Sequence, residues 1–403
     1  MQKRLRFVLI FRIQTEVSFD FKKERNVYPD SLDRRAARGY TGGRYALRRE
    51  REENNTMDKR IALGELHCGV TFGFYARNGY YSSPAAFREV DEMAKTGVKW
   101  VCVVATVMQE SFAATRQFRD FEHTPNDLEL LEIIDYIHEK GMKVQLRPML
   151  ECFDGLGRLA VTFPTDGERM PGLPRSYASR WFTSMRLRSA YYARMAEKTG
   201  CEMFCLDSEL DRIVSFNAQW KEVLAAVRAV YSGAVTSCHT LHTRVIDFEK
   251  ELANPDCWLR ELDMLSISDY IACASRPGLS AAEMAEGMKG ERELLRRIAA
   301  IYKKPVLLGE SGCTSSEGGA MHPSGWAPEG RCDGQEQANY LSALLTTFWN
   351  EPWWYGLYWW KWDEQNDRPE MKSDPAGDKG FTVAGKPAQR VLAEWYGRED
   401  TAR

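Results

Sequence analysis

Two glutamates occupy positions from which they could share one reaction. Glu209 follows the apolar run Met203–Leu206, and Glu310 follows the apolar run Val306–Leu308. Two carboxyl groups that face one pocket can cleave a glycosidic bond, because one protonates the leaving oxygen while the other attacks the anomeric carbon. Glutamate is also a common solvated residue of surface loops, so this chemistry requires elements that bring both side chains to one place.

Such elements are visible as a repeated pattern from about residue 64 onward. Short apolar runs alternate with amphipathic stretches, as expected for strands that are buried on both faces and separated by helices. The eight apolar runs are Gly69–Tyr75, Trp100–Val107, Val144–Leu150, Met203–Leu206, Ala234–Cys238, Met264–Ile267, Val306–Leu308 and Leu357–Trp360. Helical stretches begin at Ser83-Pro84 and Thr124-Pro125 and continue at 181–198, 216–231, 247–261, 281–302, 335–349 and 388–396.

Eight strands that alternate with helices over about 340 residues predict a single (β/α)8 barrel. The alternative is an open doubly wound sheet. No G-x-G-x-x-G motif follows the first run, which argues against the dinucleotide-binding form of that fold. In a barrel the chemistry lies where the strands end, and the ends of the fourth and seventh strands lie across the mouth from each other. Glu209 and Glu310 are therefore expected to face one site.

Aromatic residues around the eighth run are a second indication of carbohydrate chemistry. By strand alternation Tyr358, Trp360 and Trp362 share one face, and Trp359 takes the other. Sugar rings have an apolar face that can lie on an indole ring, so Trp360 or Trp362 is expected to form a sugar platform. The tryptophan pair at 353–354 is expected in the core between strand and helix.

Composition excludes several other classes of protein. The chain has 403 residues, 28% of them charged, and a net charge of −2, so no strong field attracts nucleic acid or an anionic membrane. No apolar run reaches the roughly 18 residues of a membrane helix. Cys238, His239 and His242 carry potential metal ligands, but their spacing points the two imidazoles apart, and no metal or cofactor is expected.

The ten cysteines include no C-x-x-C pair, and several lie in or beside apolar runs. We therefore expect buried, reduced thiols rather than a disulfide framework. No signal peptide is visible, and the sequence predicts a cytoplasmic protein.

Residues 1–56 differ from the rest of the chain. They hold 14 basic and 8 acidic residues, a balance of +6, whereas the remainder holds 41 basic and 49 acidic residues, a balance of −8. They show no apolar period, which favours a disordered extension, or a translated leader before Met57, over a basic arm for nucleic acid or membrane. The catalytic domain is predicted to span residues 57–403.

From Gly69 to about Tyr396 the chain resembles the endo-β-1,4-mannanases of glycoside hydrolase family 113, in the large clan of retaining (β/α)8 glycosidases. The similarity rests on segments in the same order: GFYARNGYYS at 73–82, QES at 109–111, LRPML at 146–150, SEL at 208–210, GESG at 309–312, WWKW at 359–362 and GKPA at 385–388.

The resemblance implies a role for each of three residues in a double displacement. Glu209 matches the acid/base, Glu310 matches the nucleophile, and Tyr270 matches the tyrosine that hydrogen-bonds the nucleophile. Seven further side chains are expected to contact the sugar: Tyr75, Arg147, Asp154, Arg158, Ser208, Trp360 and Trp362.

The chain departs from the family pattern near the substrate. Ser208 stands where much of the clan has an asparagine that reads the sugar 2-hydroxyl, and Arg147 and Met149 stand where lysine and histidine are expected. These positions leave the identity of the sugar undetermined. β-1,4-mannan or manno-oligosaccharides are the favoured substrates, and xylan or glucan oligosaccharides are the alternative. A non-catalytic sugar-binding barrel is the third possibility. The expected partner is an oligosaccharide or polysaccharide, without nucleic acid or membrane, and no oligomeric state is predicted.

Overall fold

A closed parallel barrel forms the body of the computed structural model, which describes residues 60–163, 176–326, 330–364 and 377–398. The strands in this part of the chain are β1 (His67–Phe72), β2 (Trp100–Gln109), β3 (Gln117–Phe118), β4 (Lys143–Cys152), β5 (Met203–Ser208), β6 (Ala234–Thr240), β7 (Leu265–Ser268), β8 (Val306–Ser311) and β9 (Trp354–Trp362). β1 pairs with both β2 and β9, so eight strands close into a ring, while β3 pairs antiparallel with the end of β2. The predicted (β/α)8 barrel is confirmed, and its closure excludes the open sheet.

Helices connect the successive barrel strands. The α-helices among the described residues are α1 (Arg60–Leu63), α2 (Pro84–Lys95), α3 (Asp127–Glu139), α4 (Tyr177–Thr199), α5 (Asn217–Arg228), α6 (Phe248–Ala253), α7 (Ala281–Gly287), α8 (Lys289–Tyr302), α9 (Gly334–Phe348) and α10 (Pro387–Tyr396). Each of the eight predicted apolar runs overlaps a barrel strand, although the first, predicted to reach Tyr75, ends as a strand at Phe72. The stretch predicted as one helix at 281–302 is two helices that meet at Met288, because α7 ends there with its own cap.

Capping side chains set where the helices begin. Ser83 caps α2 by accepting a hydrogen bond from the Ala86 amide, with Pro84 at the first helical position. The next helix, predicted to open at Thr124-Pro125, is capped instead by Asn126. The Asn126 side chain accepts from the Glu129 amide, and the Glu129 carboxylate accepts from the Asn126 amide. This reciprocal capping box starts α3 two residues later than the proline suggests.

The two faces of each barrel strand contact different cores. On β2, Val101 and Val103 face the surrounding helices, whereas Trp100, Cys102 and Val104 face the inside of the barrel. All ten residues of β2 are buried. Burial on both faces explains why these strands appear in the sequence as continuous apolar runs rather than as an alternation.

The amino-terminal end of the barrel is closed by α1 and a buried histidine. His67 Nε2 lies 2.8 Å from the Ala62 carbonyl oxygen, and Nδ1 lies 3.1 Å from the Tyr358 hydroxyl. The His67 ring stacks on Trp100 at 3.9 Å. Burial lowers the pKa of His67 to about 4, so this histidine is neutral and structural. The predictions for residues 1–56 fall outside the described residues.

All ten cysteines are free thiols. Nine are buried and Cys332 is exposed, so the expectation of buried reduced thiols is confirmed for nine of the ten. In the part of the chain that the structure describes, no helix has both the length and the apolar character needed to cross a membrane.

Candidate active site

The barrel brings Glu209 and Glu310 to one site at the carboxyl ends of its strands. Glu209 directly follows β5, and Glu310 is the second-to-last residue of β8. Ser208, the neighbour of Glu209, donates a 2.6 Å hydrogen bond to Glu310 Oε1. Ser268 pairs with Glu310 in the β7–β8 register and donates a 2.9 Å hydrogen bond to Glu209 Oε1. The two carboxylates are thus linked through neighbouring serines and are both buried.

Glu310 is held from inside the barrel. Arg147 on β4 is completely buried, and its Nη1 donates a 2.6 Å hydrogen bond to Glu310 Oε1. Burial, followed by the like charge of Glu209, raises the pKa of Glu310 to about 7, while Arg147 and Arg158 act in the opposite direction. Two arginines therefore favour the charged form of the carboxyl group that is expected to act as the nucleophile, whereas burial and Glu209 favour its neutral form.

Glu209 is positioned by an unusual backbone conformation. Its φ of 62° lies in the left-handed region, which non-glycine residues rarely adopt and which marks functional sites when the surrounding structure enforces it. The enforcing contacts are a 2.9 Å hydrogen bond from the Glu209 amide to the Cys238 carbonyl and two bonds to its carboxylate. Those two donors are Ser268 and Arg158, whose Nη2 lies 2.7 Å from Glu209 Oε2.

Arg158 joins Glu209 to a third carboxylate. Its other terminal nitrogen, Nη1, donates to Glu151 at the end of β4, and its guanidinium lies 5.5 Å from the centre of the Phe74 ring. Burial raises the pKa of Glu151, which Arg158 opposes. The side chain predicted to touch sugar is therefore a bridge between Glu151 and Glu209 in this structure. Position alone did not indicate Glu151 as its partner.

Tyr270 lies near the pair but does not make the expected bond. Burial and the charges of Glu310 and Glu209 raise the pKa of its phenol, which therefore stays protonated at neutral pH. The hydrogen bonds to the Glu310 carboxylate from described residues come instead from Arg147 and Ser208. The hydrogen bond from Tyr270 to the nucleophile is the feature of the family pattern that this structure does not show.

Asp154 and Tyr75 lie on the loops around the mouth. The Asp154 carboxylate accepts hydrogen bonds from the amides of Phe112 and Leu156, at 2.7 and 3.0 Å, and so shapes its loop. Tyr75 is 47% exposed, and the Lys361 ammonium lies 4.5 Å from the centre of its ring. Asp154 is exposed as well, so both predicted contacts are accessible from solvent.

Trp360 and Trp362 lie on opposite faces of β9, and the expectation that they share a face is wrong. Val70 pairs with Trp359, whereas Phe72 pairs with Trp362, so β9 contains one extra residue between these pairs. Such a bulge reverses the alternation beyond it. Trp360 faces the barrel interior, but Trp362 packs in the outer core and donates a 2.6 Å hydrogen bond to Glu89 on α2.

Three aromatic residues that the sequence did not indicate surround Trp360. The Phe74 ring lies 5.2 Å from it, and Trp326 lies 6.0 Å from it. Phe381 completes the group, 5.2 Å from Trp326. Trp326 is 54% exposed, whereas Trp360 is fully buried beneath it. The platform predicted for one tryptophan is therefore an aromatic cluster built from four separate segments of the chain.

A cavity of about 940 Å3 opens beside this cluster, on the side of β1, β2 and β9. Glu364 lies in its wall, accepting 3.0 Å hydrogen bonds from Lys361 and one of 2.7 Å from the Tyr75 amide. Glu151 also lines the cavity, so Arg158 connects this space to Glu209. Its lining combines apolar and charged side chains: Phe74, Tyr75, Ala76, Arg77, Tyr80, Ser83, Pro84, Ala85, Arg88, Thr106, Met108, His123, Glu151 and Glu364.

The residues considered as metal ligands have other partners. His239 Nδ1 lies 3.0 Å from Asp211, and His242 Nδ1 lies 3.4 Å from the Ser268 carbonyl. Among the described residues, no three His, Cys, Asp or Glu side chains form a group that could hold a metal ion.

The barrel and its paired buried carboxylates define the class of a (β/α)8 glycoside hydrolase. Residues 70–386 match the model of Glycoside Hydrolase Family 113, and the chain belongs to that family. A comparison with curated proteins found no match.

Solved structures agree with this family. A GH113 β-1,4-mannanase, solved as a complex, is 28% identical with a TM-score of 0.70, over 83% of this chain and 100% of its own. The GH113 β-mannanase from Alicyclobacillus acidocaldarius, in complex with ManMIm, is 27% identical with a TM-score of 0.71, over 82% and 97%. An exo-β-1,4-mannosidase from an Opitutaceae bacterium shares the fold at 17% identity and a TM-score of 0.51, over 83% and 59%.

Proposed function

We propose that this protein hydrolyses β-1,4-linked mannan or manno-oligosaccharides with retention of configuration, using Glu310 as the nucleophile and Glu209 as the acid/base. The observation that carries the proposal is the pair of buried carboxylates at the ends of β5 and β8, each with its own set of donors. Mannan is the favoured substrate because the similar solved enzymes of the family are named as β-mannanases.

In the first step a Glu310 oxygen attacks the anomeric carbon. The glycosidic C–O bond breaks, and Glu209 gives its proton to the departing oxygen. In the second step Glu209 takes a proton from water, whose oxygen attacks the anomeric carbon and releases Glu310. Glu209 receives hydrogen bonds from Arg158 and Ser268 at rest. When Glu209 carries the proton, Arg158 keeps Glu151 as its second partner.

The cavity beside the aromatic cluster offers space for further sugar units. Trp360 Nε1 is buried without a hydrogen-bond partner among the described residues, which makes it a donor for a sugar hydroxyl. Nine buried free thiols are consistent with action in the cytoplasm, where thiols stay reduced.

Two variants test the roles of the glutamates. Glu310→Ala should abolish turnover, and azide should restore it with a glycosyl azide of inverted anomeric configuration as the product. Glu209→Ala should slow substrates with poor leaving groups far more than activated aryl glycosides, since an activated phenol leaves without a proton. Full activity of either variant would overturn the assignment.

Substrate choice is tested on manno-, xylo- and cello-oligosaccharides of equal length. Preference for the manno series supports the proposal. Preference for another series keeps the mechanism and replaces the sugar, and binding without turnover on any series would favour a non-catalytic barrel.

A further inference from the structure

We propose that Arg147 and Ser208 are the positioning residues of the nucleophile, fixing one oxygen of Glu310 so that the other is presented for attack. This inference rests on the proposed role of Glu310. It concerns two positions at which the chain departs from the pattern of the family that it resembles, where lysine and asparagine were expected.

Arg147 reaches Glu310 across the interior of the barrel. Along β4, Val144, Leu146 and Leu150 pack outward, whereas Arg147 and Met149 point inward. An inward side chain on the third barrel strand meets the seventh strand opposite, which is β8. Arg147 has no exposed surface, so its guanidinium lies beneath the carboxylate rather than in the path of a sugar.

The guanidinium binds both the carboxylate and the backbone that carries it. Nη1 donates to Glu310 Oε1 at 2.6 Å, and Nη2 donates to the Gly309 carbonyl at 3.0 Å. Nε and Nη2 also donate to Gln145 Oε1, at 3.3 and 3.1 Å. A planar group held at three acceptors has a fixed orientation, which a lysine ammonium on a flexible stem would not provide.

Both hydrogen bonds to the carboxylate converge on one oxygen. Ser208 Oγ donates to Oε1 at 2.6 Å, the same atom that Arg147 contacts. No described residue donates a hydrogen bond to Oε2. In the covalent step Oε2 would therefore form the bond to the anomeric carbon, while Oε1 keeps its two donors.

The charge of Arg147 also favours the reactive form of Glu310. Burial and Glu209 oppose ionisation of this carboxyl group, and the Arg147 guanidinium in direct contact with it favours ionisation. Loss of the guanidinium should therefore raise the pH at which the nucleophile becomes active. A purely structural arginine would not produce this effect.

The test measures the nucleophile directly with 2-deoxy-2-fluoro-β-mannosyl fluoride. Glu310 forms a C–O bond to the anomeric carbon as the C–F bond breaks and fluoride leaves, so the step requires no proton from Glu209. The inactivation rate is followed against pH for the wild type, Arg147→Met, Arg147→Lys and Ser208→Ala.

Arg147→Met should lower the inactivation rate at pH 7 by about tenfold to a hundredfold. It should also move the acidic limb of the curve of rate against pH upward by about one pH unit or more. Arg147→Lys keeps the charge, so its limb should stay near that of the wild type while its rate falls. Ser208→Ala should lower the rate by about tenfold and move the limb upward by less than Arg147→Met does, because it removes one neutral donor.

Arg228→Met is the matched control. Arg228 also joins one carboxylate, Asp263, to one backbone carbonyl, that of Gly233, but it belongs to α5 and does not touch Glu310. This variant should lose thermal stability without a change in the acidic limb.

A folded Arg147→Met protein with the wild-type rate and pH profile would overturn the inference. If that variant does not fold, wild-type rates in both Arg147→Lys and Ser208→Ala would overturn it. If the fluoride does not label Glu310 in the wild type, the proposed function itself is wrong, because either Glu310 is not the nucleophile or the sugar is not mannose.

Discussion

Glu310 contributes unequally to stability at different pH values. Its pKa is raised from 4.5 to about 7, by burial first and then by the charge of Glu209. A carboxyl group whose pKa is higher in the folded chain than in the unfolded chain stabilises the fold fully below the unfolded value. That contribution is lost as pH rises through the folded value. The stabilising contribution of Glu310 is therefore lost as the pH rises from about 4.5 to about 7.

Replacement of this carboxyl group should flatten the pH dependence of stability. Between about pH 4.5 and pH 7 the Tm of the wild type should fall more steeply than that of Glu310→Gln, with a difference in unfolding free energy on the order of 1–3 kcal/mol. Glu151 also has a raised pKa, but it is present in both proteins and cancels from the comparison. Parallel slopes in thermal unfolding across this range would contradict the prediction.

The sequence could predict the two glutamates but not the partners that hold them. Glu209 and Glu310 follow apolar runs, and strand ends are where a barrel places its chemistry. The contact between Arg147 and Glu310 joins residues 163 positions apart, and it depends on which way each side chain points inside the ring. Trp326 lies on a loop, where no periodic pattern indicates its position.

At the scale of elements, α3 is tied to the loop after β1 by one buried carboxylate. Glu129 has no exposed surface and accepts hydrogen bonds from the amides of Gly79, Tyr81 and Asn126. Three backbone donors on one buried acceptor fix both the start of the helix and the loop that follows Tyr75.

Glu129→Ala should therefore lower the free energy of unfolding by about 2–4 kcal/mol, because it leaves buried amides without an acceptor. Glu132→Ala is the control. Glu132 is exposed and binds Ser82 of the same loop, so its loss should cost less than about 1 kcal/mol. Chemical denaturation measures both, and equal losses would show that the burial of Glu129 has no special effect.

The bulge in β9 separates the functions of two neighbouring tryptophans. Trp362→Phe removes the hydrogen bond to Glu89 and should cost about 1 kcal/mol of stability, with kcat/KM unchanged. Trp360→Phe removes a buried donor that has no partner among the described residues, so any loss of stability should come from packing rather than from a lost hydrogen bond. It should lower kcat/KM by about tenfold, because a sugar hydroxyl loses its donor. The same effect of both changes on kcat/KM would contradict the assigned faces.

The alternation rule failed at β9 because one inserted residue reverses every side chain beyond it, and the sequence shows no mark of that insertion. The eight strands themselves could be predicted because burial on both faces requires continuous apolar runs. The first residue of a helix was harder to predict. Asn126 and Pro125 both favour a helix start, and the capping box between Asn126 and Glu129 decides between them.

At the scale of the whole molecule, the barrel domain is proposed to begin after residue 56. Deletion of residues 1–56 should leave Tm and kcat/KM nearly unchanged, whereas deletion of residues 1–66 should lower Tm. The longer deletion removes Ala62, which binds His67, and Glu65, which accepts a 2.8 Å hydrogen bond from Trp100. A loss of folding with the shorter deletion would show that the first segment belongs to the catalytic domain.

The half-exposed ring above Trp360 also gives the protein an optical signal. Trp326 is the most exposed of the twelve tryptophans, at 54%, and it lies against Phe381 and Trp360 at the mouth. A quencher dissolved in water, such as acrylamide, should therefore act mainly on the emission of this indole. A sugar that covers the ring should shield it, so fluorescence titration of the unlabelled Glu310→Gln protein would report occupancy of the mouth without turnover.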